Sequence, residues 1–361
     1  MRLPFFLGLY LAVVLPGFAQ TAANAGPGLP KEPREVFAAA APFYDFASRE
    51  LKPWHLKATY QLYDEKGKHS TLGTYEYWWV SPLEHRSTWT RTGMTHTDWY
   101  PGDGKYAYES SGEPMNLFEF NLQSALLSPL PKPADLDPSK FHLEDEGVAT
   151  NGAMGPCFTI LPITRQHDST GRPDQGPFPT YCFESQRPAL RNIYSFERVL
   201  TQFSDILEAR GKYLAREVRI VEGKHLLLTA KVDAIDEISS TDPALAPPGT
   251  ASRTDIGFPR YSPLRQVEIK KEVAANLLIK KLTPIYPLEA KREGIQGNVV
   301  LFATIGTDGR IHDLRVISAP SSSLAASSFS SVSQWEYKPY LLNGEPVPIQ
   351  STIVVTFALG K

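Results

Sequence analysis

Cysteine is nearly absent: Cys157 and Cys182 are the only two in 361 residues. They form no CxxC pair and no metal-ligand spacing, which removes zinc ribbons and thioredoxin-like redox motifs. Charge of one sign is missing as well. The 37 Lys and Arg stand against 39 Asp and Glu, giving a formal net charge of -2 with both signs interspersed. A chain so balanced lacks the basic stripe that neutralises phosphates, so a nucleic-acid partner is excluded. The eight histidines are scattered, with no HExxH and no HxH pair. There is no Gly-x-Ser-x-Gly elbow and no Gly-rich phosphate loop. The nearest pairing, His96 with Asp98, falls in an expected strand where both share one face, and such neighbours are ordinarily solvated. These absences point away from an enzyme and imply no cofactor and no metal.

One long apolar run is present, and it stands at the N-terminus. Arg2 is followed by the stretch Leu3 to Leu15, then Pro16-Gly17-Phe18-Ala19 and a polar shift at Gln20. A basic start, an apolar stretch and small residues before a break read as a secretory signal peptide over residues 1–19, cleaved after Ala19. Ala25 is a second candidate. A membrane anchor is the competing reading, because the run approaches the roughly 18 residues that a spanning helix needs. Pro4, Pro16 and the lack of a strong basic flank favour cleavage, and no cysteine near Ala19 offers lipid attachment. Export would place Cys157 and Cys182 in an oxidising compartment, where a disulfide between them is favoured over two buried thiols.

The length allows two domains that each bury a core. Residues 30–240 read mostly as antiparallel sheet. Trp54 to Tyr63 alternates, Asp64 to Gly67 turns the chain, and Gly73 to Val80 resumes the strand pattern. Further strands fit 85–92, 95–100, 105–110, 194–207, 211–220 and 224–238. A helical interruption fits Asn116 to Leu127, stopped by Pro129-Leu-Pro131-Lys-Pro133. Five of the six tryptophans lie between Trp54 and Trp99. Such an aromatic face is either the packed core of a β-domain or a surface for an apolar or lipid-like ligand. In alternation and strand length the segment resembles the LolA-like lipoprotein-carrier family, in which a curved antiparallel sheet wraps helices around an apolar cavity. The resemblance is one of pattern and transfers no residue role.

Residues 241–263 contain Pro243, Pro247, Pro248, Pro259 and Pro263 and read as a Pro-rich linker to a domain over 264–361. In that domain Pro287 suits the first turn of a short helix over 288–293, and Gly294 suits its left-handed end. A strand is expected from Gly297, and Asp308-Gly309 makes the hairpin turn into a second strand over 311–318. Residues 321–334 carry Leu324, Phe329 and Val332 at helical spacing, with serines able to cap the start. Trp335 and Tyr337 would anchor this helix to the sheet. A final strand has Ile349, Ser351, Ile353, Val355 and Phe357 on one face; if it lies at the sheet edge, its free backbone groups accept another chain.

Tyr286-Pro287, Gly294-Ile295-Gln296-Gly297, Asp308-Gly309, Trp335-Glu336-Tyr337-Lys338-Pro339, Gly344 and the alternating end together resemble the C-terminal domain of the TonB family, over about residues 277–360. The resemblance implies a small α+β domain with a three-stranded antiparallel sheet and two helices. It also implies a periplasmic setting in Gram-negative bacteria and binding of short extended segments of outer-membrane transporters by strand addition. On that reading the partner-binding strand is Gln350, Ser351, Thr352, Ile353, Val354, Val355, Thr356 and Phe357, while Tyr286, Pro287, Gly297, Asp308, Gly309, Trp335, Tyr337 and Pro339 are structural. The fold class expected is α+β, and the function expected is an exported periplasmic protein that binds a cell-envelope partner. Two alternatives stand beside it: an anchored energy transducer of TonB type, and a carrier of a lipid or apolar ligand in the β-domain. The short Pro-rich stretch departs from the much longer spacer of the transducers.

Overall fold

The computed structural model describes residues 28–359, apart from 49, 65–66, 69, 104, 140, 149–153, 164–178, 196–198, 256–266 and 343. The expected signal peptide over 1–19 and residues 256–263 of the Pro-rich stretch lie outside the described residues.

The first half opens with helix α1 (Pro33–Tyr44), in which Pro33 occupies a first-turn position where its missing N–H costs no hydrogen bond. One face of α1, formed by Val36, Phe37, Ala40 and Tyr44, is buried. There follow β1 (Trp54–Tyr63), β2 (Ser70–Ser81), β3 (Glu84–Arg91), β4 (Met94–Pro101), β5 (Lys105–Gly112) and helix α2 (Leu117–Leu127). Then come β6 (Phe141–Val148), β7 (Met154–Pro162), β8 (Thr180–Glu184), β9 (Leu190–Ser195), β10 (Val199–Ala209), β11 (Lys212–Glu222), β12 (His225–Glu237) and β13 (Ser252–Asp255). The stretch expected as one strand over 194–207 is two, because β9 ends at Ser195 and β10 begins at Val199.

All thirteen strands join one open sheet in the order β13-β5-β4-β3-β2-β1-β12-β11-β10-β9-β8-β7-β6. Two meanders meet where β1 pairs antiparallel with β12, from Trp54↔Glu237 to Leu62↔Leu228. On β1 the residues Trp54, Leu56, Ala58 and Tyr60 are buried, so the alternation read from the sequence does set the inward face. Tyr60 lies opposite Gly73, where a Cβ would stand 2.3 Å from the tyrosine ring. Any larger residue at 73 would therefore push that ring out of the core. Cys157 and Cys182 are directly opposed on β7 and β8 and are joined by a disulfide.

Helix α1 packs on β6 and β11, and α2 packs on β11 and β12. Residues Pro243–Leu245 form a turn of 3-10 helix, after which β13 pairs with β5. The Ala244 carbonyl accepts hydrogen bonds from Arg86 and from the Trp99 indole, each at 3.2 Å. The Arg86 guanidinium lies between the Trp78 and Trp99 rings, 4.2 and 5.3 Å from their centroids. The first part of the Pro-rich stretch is thus laid against the outer sheet face rather than free in solvent.

The second half contains β14 (Val267–Glu268), α3 (Lys271–Leu277), β15 (Leu278–Lys280), α4 (Leu288–Arg292), β16 (Gly297–Ile305), β17 (Ile311–Ser318) and α5 (Ser322–Val332). It ends with β18 (Glu336–Tyr337), β19 (Tyr340–Leu342), β20 (Glu345–Val347) and β21 (Ile349–Phe357). Its main sheet has the order β14-β21-β16-β17. The three long strands are antiparallel as expected, and the two-residue β14 adds to them in parallel. Besides the two helices expected, α4 and α5, the short α3 is present.

Helix α5 packs against β16 and β17 on one side and against α2 on the other. Phe120 of α2 and Phe329 of α5 bring their ring centroids to 5.4 Å. The Glu222 carboxylate, at the end of β11, accepts the Ser322 N–H at 3.1 Å and the Ser322 hydroxyl at its other oxygen. An acid on the exposed amides of a helix start is favourable both as a hydrogen-bond acceptor and as a charge. The layers are therefore large sheet, α2, α5 and small sheet, and buried side chains of both halves form one contiguous cluster.

Candidate functional site

The strand read from the sequence as partner-binding, residues 350–357, is β21, and it is bordered beyond β16 only by the two-residue β14 among the described strands. Its side chains alternate strictly. Ile349, Ser351, Ile353, Val355 and Phe357 are buried, whereas Thr352, Val354 and Thr356 are exposed. The backbone alternates in step, because in a strand the N–H and C=O of one residue point to the same side and those of the next residue to the other. The Ile269 N–H donates to the Gln350 carbonyl at 3.0 Å, which places the Gln350 groups on the side away from β16. The register with β16 runs unbroken from Ile305↔Ile349 to Gly297↔Phe357. Thr352, Val354 and Thr356 must then also direct their N–H and C=O groups away from β16. The short β14 pairs only with Ile349 and Gln350, so beyond them no strand of the described residues lies against this side.

The remaining residues of the motif build the frame behind that edge. Tyr286 donates its hydroxyl to the Ile295 carbonyl at 2.6 Å and sets its ring edge-on to Phe357 at 5.1 Å. Pro287 is the N-cap of α4, and Gly297 has φ 139°, where a Cβ would lie 2.9 Å from the Pro320 ring. Gly309 has φ 75°, and a Cβ there would lie 1.9 Å from the Tyr337 carbonyl oxygen. That close approach lets the Tyr337 N–H donate to the Gly309 carbonyl at 2.8 Å. Trp335 is buried and donates its indole N–H to the Leu282 carbonyl at 2.9 Å, which ties the end of α5 to the stretch before α4. Pro339 is exposed between β18 and β19. None of these eight residues lies on the open side of β21.

The aromatic face of the β-domain is close-packed. Trp54, Tyr75, Trp79 and Trp89 are each at most 2% exposed. Tyr75 stacks on Trp89 at 4.0 Å, and Trp54 on Trp79 at 6.1 Å. Among the described residues the indole N–H groups of Trp54, Trp79 and Trp89 and the Tyr75 hydroxyl find no hydrogen-bond partner. Burial holds the Tyr75 hydroxyl well above its ordinary pKa. Beside them Glu119 is fully buried and accepts from Tyr60 at 2.6 Å, Arg91 at 2.9 Å and the Asn116 amide at 2.7 Å. Sequence reasoning missed this carboxylate, although its place three residues after Asn116 is a capping-box signal.

His96 and Asp98 are not the solvated strand neighbours expected of them. They pair at 3.1 Å with side chains about one-fifth exposed, and Asp98 also accepts the Tyr106 hydroxyl. Burial disfavours the charged His96 imidazole, but the Asp98 carboxylate outweighs it and holds its pKa above the ordinary value. The Tyr106 ring meets His312 edge-on at 5.4 Å, and His312 bonds Asp308 at 2.9 Å. Burial works to raise the Asp308 pKa, and the His312 contact together with the Arg310 amide outweighs it, leaving the carboxyl below its usual range. This chain of polar groups crosses between the two halves. Among the described residues no group of three or more His, Cys, Asp or Glu could hold a metal ion, and no helix is long and apolar enough to cross a membrane.

Residues 283–359 match the family described as the Gram-negative bacterial TonB protein C-terminal. Protein TonB of Pseudomonas aeruginosa is 34% identical over 79 residues, which cover 22% of this chain and 23% of that protein. The chain thus matches less than a quarter of the relative's length. The solution NMR structure of the Pseudomonas aeruginosa TonB C-terminal domain is 32% identical, covering 23% of this chain and 86% of that one, with a TM-score of 0.21. A DUF1329 family protein from Desulfovibrio piger covers 58% of this chain and 94% of its own at 10% identity and a TM-score of 0.35. A LolA superfamily protein from Nitrosomonas europaea covers 59% and 97% at 8% identity and a TM-score of 0.34.

Proposed function

We propose that this is an exported periplasmic protein that captures an extended segment of a cell-envelope protein by adding it as a strand to β21. The observation that carries the reading is the row of outward N–H and C=O groups at Thr352, Val354 and Thr356, on a strand whose other side is fixed to β16. A strand with one such side unmatched gains several main-chain hydrogen bonds when an extended peptide lies along it. Similarity of residues 283–359 to the C-terminal part of TonB supports the same reading and favours an outer-membrane transporter as the partner. The apolar stretch before Gln20, read as a cleaved signal, supports the compartment.

The test is site-specific photocrosslinking in intact cells, with the crosslinker at Thr352 or Val354 and, as a control, at Leu72, which is 60% exposed on the other half. The edge positions should give a discrete adduct that maps to a short extended segment of an envelope protein. Adducts from Leu72 alone, or edge adducts scattered over many unrelated proteins, would contradict the reading.

A second reading is favoured by one separate observation. Four buried donors, on Trp54, Tyr75, Trp79 and Trp89, have no partner among the described residues, which is unusual in a core, where such groups are nearly all satisfied. An apolar ligand bearing acceptor groups, such as a lipid ester, would satisfy them if the close-packed layer opened. Binding of a lipid ester to the purified protein with quenching of tryptophan fluorescence would support this carrier role. No binding at micromolar protein across several ester lipids would remove it.

A further inference from the structure

The open side of β21 is not wholly open: its first part is held by residues of the same chain. β14 runs parallel to β21, with Val267↔Ile349 and Glu268↔Gln350 in register. The Ile269 N–H continues the pairing to the Gln350 carbonyl at 3.0 Å, and the Ser351 hydroxyl donates to the Ile269 carbonyl at 3.2 Å. At Lys270 the chain leaves this line, because Lys270 is the N-cap of α3. The stretch therefore satisfies the outward groups of Gln350 and stops short of Thr352.

We infer that residues 267–269 are a tethered occupant of the partner's own binding track, displaced when the partner strand adds to β21. The inference rests on the strand-addition reading above. Thr352 through Thr356, with the outward groups at its first, middle and last positions, spans five residues, the lower end of ordinary strand length, which is five or six. A partner strand that pairs along the whole outward side of β21 runs back over Gln350, where Ile269 already sits. The internal segment makes few bonds, so it is a weak competitor in itself. Its tether supplies an effective concentration that free peptides do not have. Capture is thus confined to partners whose extended segment offers more main-chain bonds than this one, and a partner with proline at the place Ile269 now takes would lack the donor to Gln350.

The segment also supplies the probe. A synthetic peptide of residues 264–271 (Leu-Arg-Gln-Val-Glu-Ile-Lys-Lys) is titrated into the isotopically labelled full chain and into two variants, with backbone amide resonances as the readout. Ile269→Pro removes the donor to Gln350, and Ser351→Ala removes the hydroxyl bond to Ile269. Loss of the bond to Gln350 should raise the peptide affinity about tenfold in Ile269→Pro, with shifts confined to Gln350 through Thr356, whereas Ser351→Ala takes the same bond from segment and peptide alike and should leave the affinity as in the parent. Equal affinity in parent and Ile269→Pro, with shifts at those same residues, would overturn the tethered competitor and leave strand addition standing. Absence of shifts at Gln350 through Thr356 in both variants would overturn the two together. Unchanged amide resonances away from β14, α3 and β21 in Ile269→Pro exclude a folding defect as the cause.

Discussion

Proline placed at two adjacent positions of β21 separates its two sides. Val354 directs its N–H away from β16, and its side chain is 41% exposed. Val355 is buried, faces Val299 of β16, and by the same alternation directs its N–H into the ladder. Val354→Pro removes a donor that no strand of the described residues uses. Its cost is the narrowing of φ to about -65° in a strand, on the order of 1 kcal/mol. Val355→Pro removes a ladder bond and strands the facing carbonyl, at about 1–3 kcal/mol, and its ring adds a clash with β16. With about 4–8 °C of melting temperature for each kcal/mol in a unit of this size, Val354→Pro should melt within about 8 °C of the parent. Val355→Pro should fall by about 15 °C or more, or lose its transition. Thermal circular dichroism reads the stability, and partner binding is then measured on the variant that stays folded. Val354→Pro should bind about tenfold or more weakly. If the two variants were equally unstable, or if folded Val354→Pro bound as the parent does, the assignment of outward groups would be wrong.

Glu119→Ala should cost about 3–5 kcal/mol, because it leaves the buried Arg91 guanidinium and the Tyr60 hydroxyl without the carboxylate that pairs them; an unchanged urea midpoint would refute that role. Replacing both Cys157 and Cys182 with serine opens a bond that spans 25 residues and should lower stability by about 3 kcal/mol in the chain-entropy model, read as a lower denaturant midpoint. His96 has a raised pKa in the folded protein. Its contribution is therefore fully present below the unfolded value of about 6.5 and is lost as pH rises through the folded one. Asp98→Asn should flatten this dependence between neutral pH and pH 6; an unaltered pH profile in that variant would sever the link to His96.

Much of the C-terminal half is legible because its signals are local. Asp308-Gly309 turns where the dipeptide says it should, and Gly309 has the positive φ that the turn requires. The buried set of Ile349, Ser351, Ile353, Val355 and Phe357 follows from period two alone. The N-capping serine of α5 and the burial of Trp335 follow from residue types. What the sequence leaves open depends on pairing between distant residues. Whether β21 has a free side is decided by Ile269, 81 positions before Gln350, and a two-residue strand has no periodicity to read. Helix α1 hides behind an alanine run with Pro42 inside it, which reads as a break rather than as a helix. Strands β6 and β7 are joined by a bulge between Asp145 and Val148 that blurs the alternation. The burial of His96 and Asp98 involves Tyr106 on the next strand and, through its ring, His312 of the other half.

The central claim is that a partner strand lies along the outward side of β21, and amide hydrogen exchange tests it residue by residue. The full chain is compared alone and with the extended segment identified by crosslinking. Protection should rise at Thr352, Val354 and Thr356, while Ile353 and Val355, already bonded to β16, should stay as they were. Protection that appears elsewhere, with the exchange of Thr352, Val354 and Thr356 unchanged in the bound state, would contradict it.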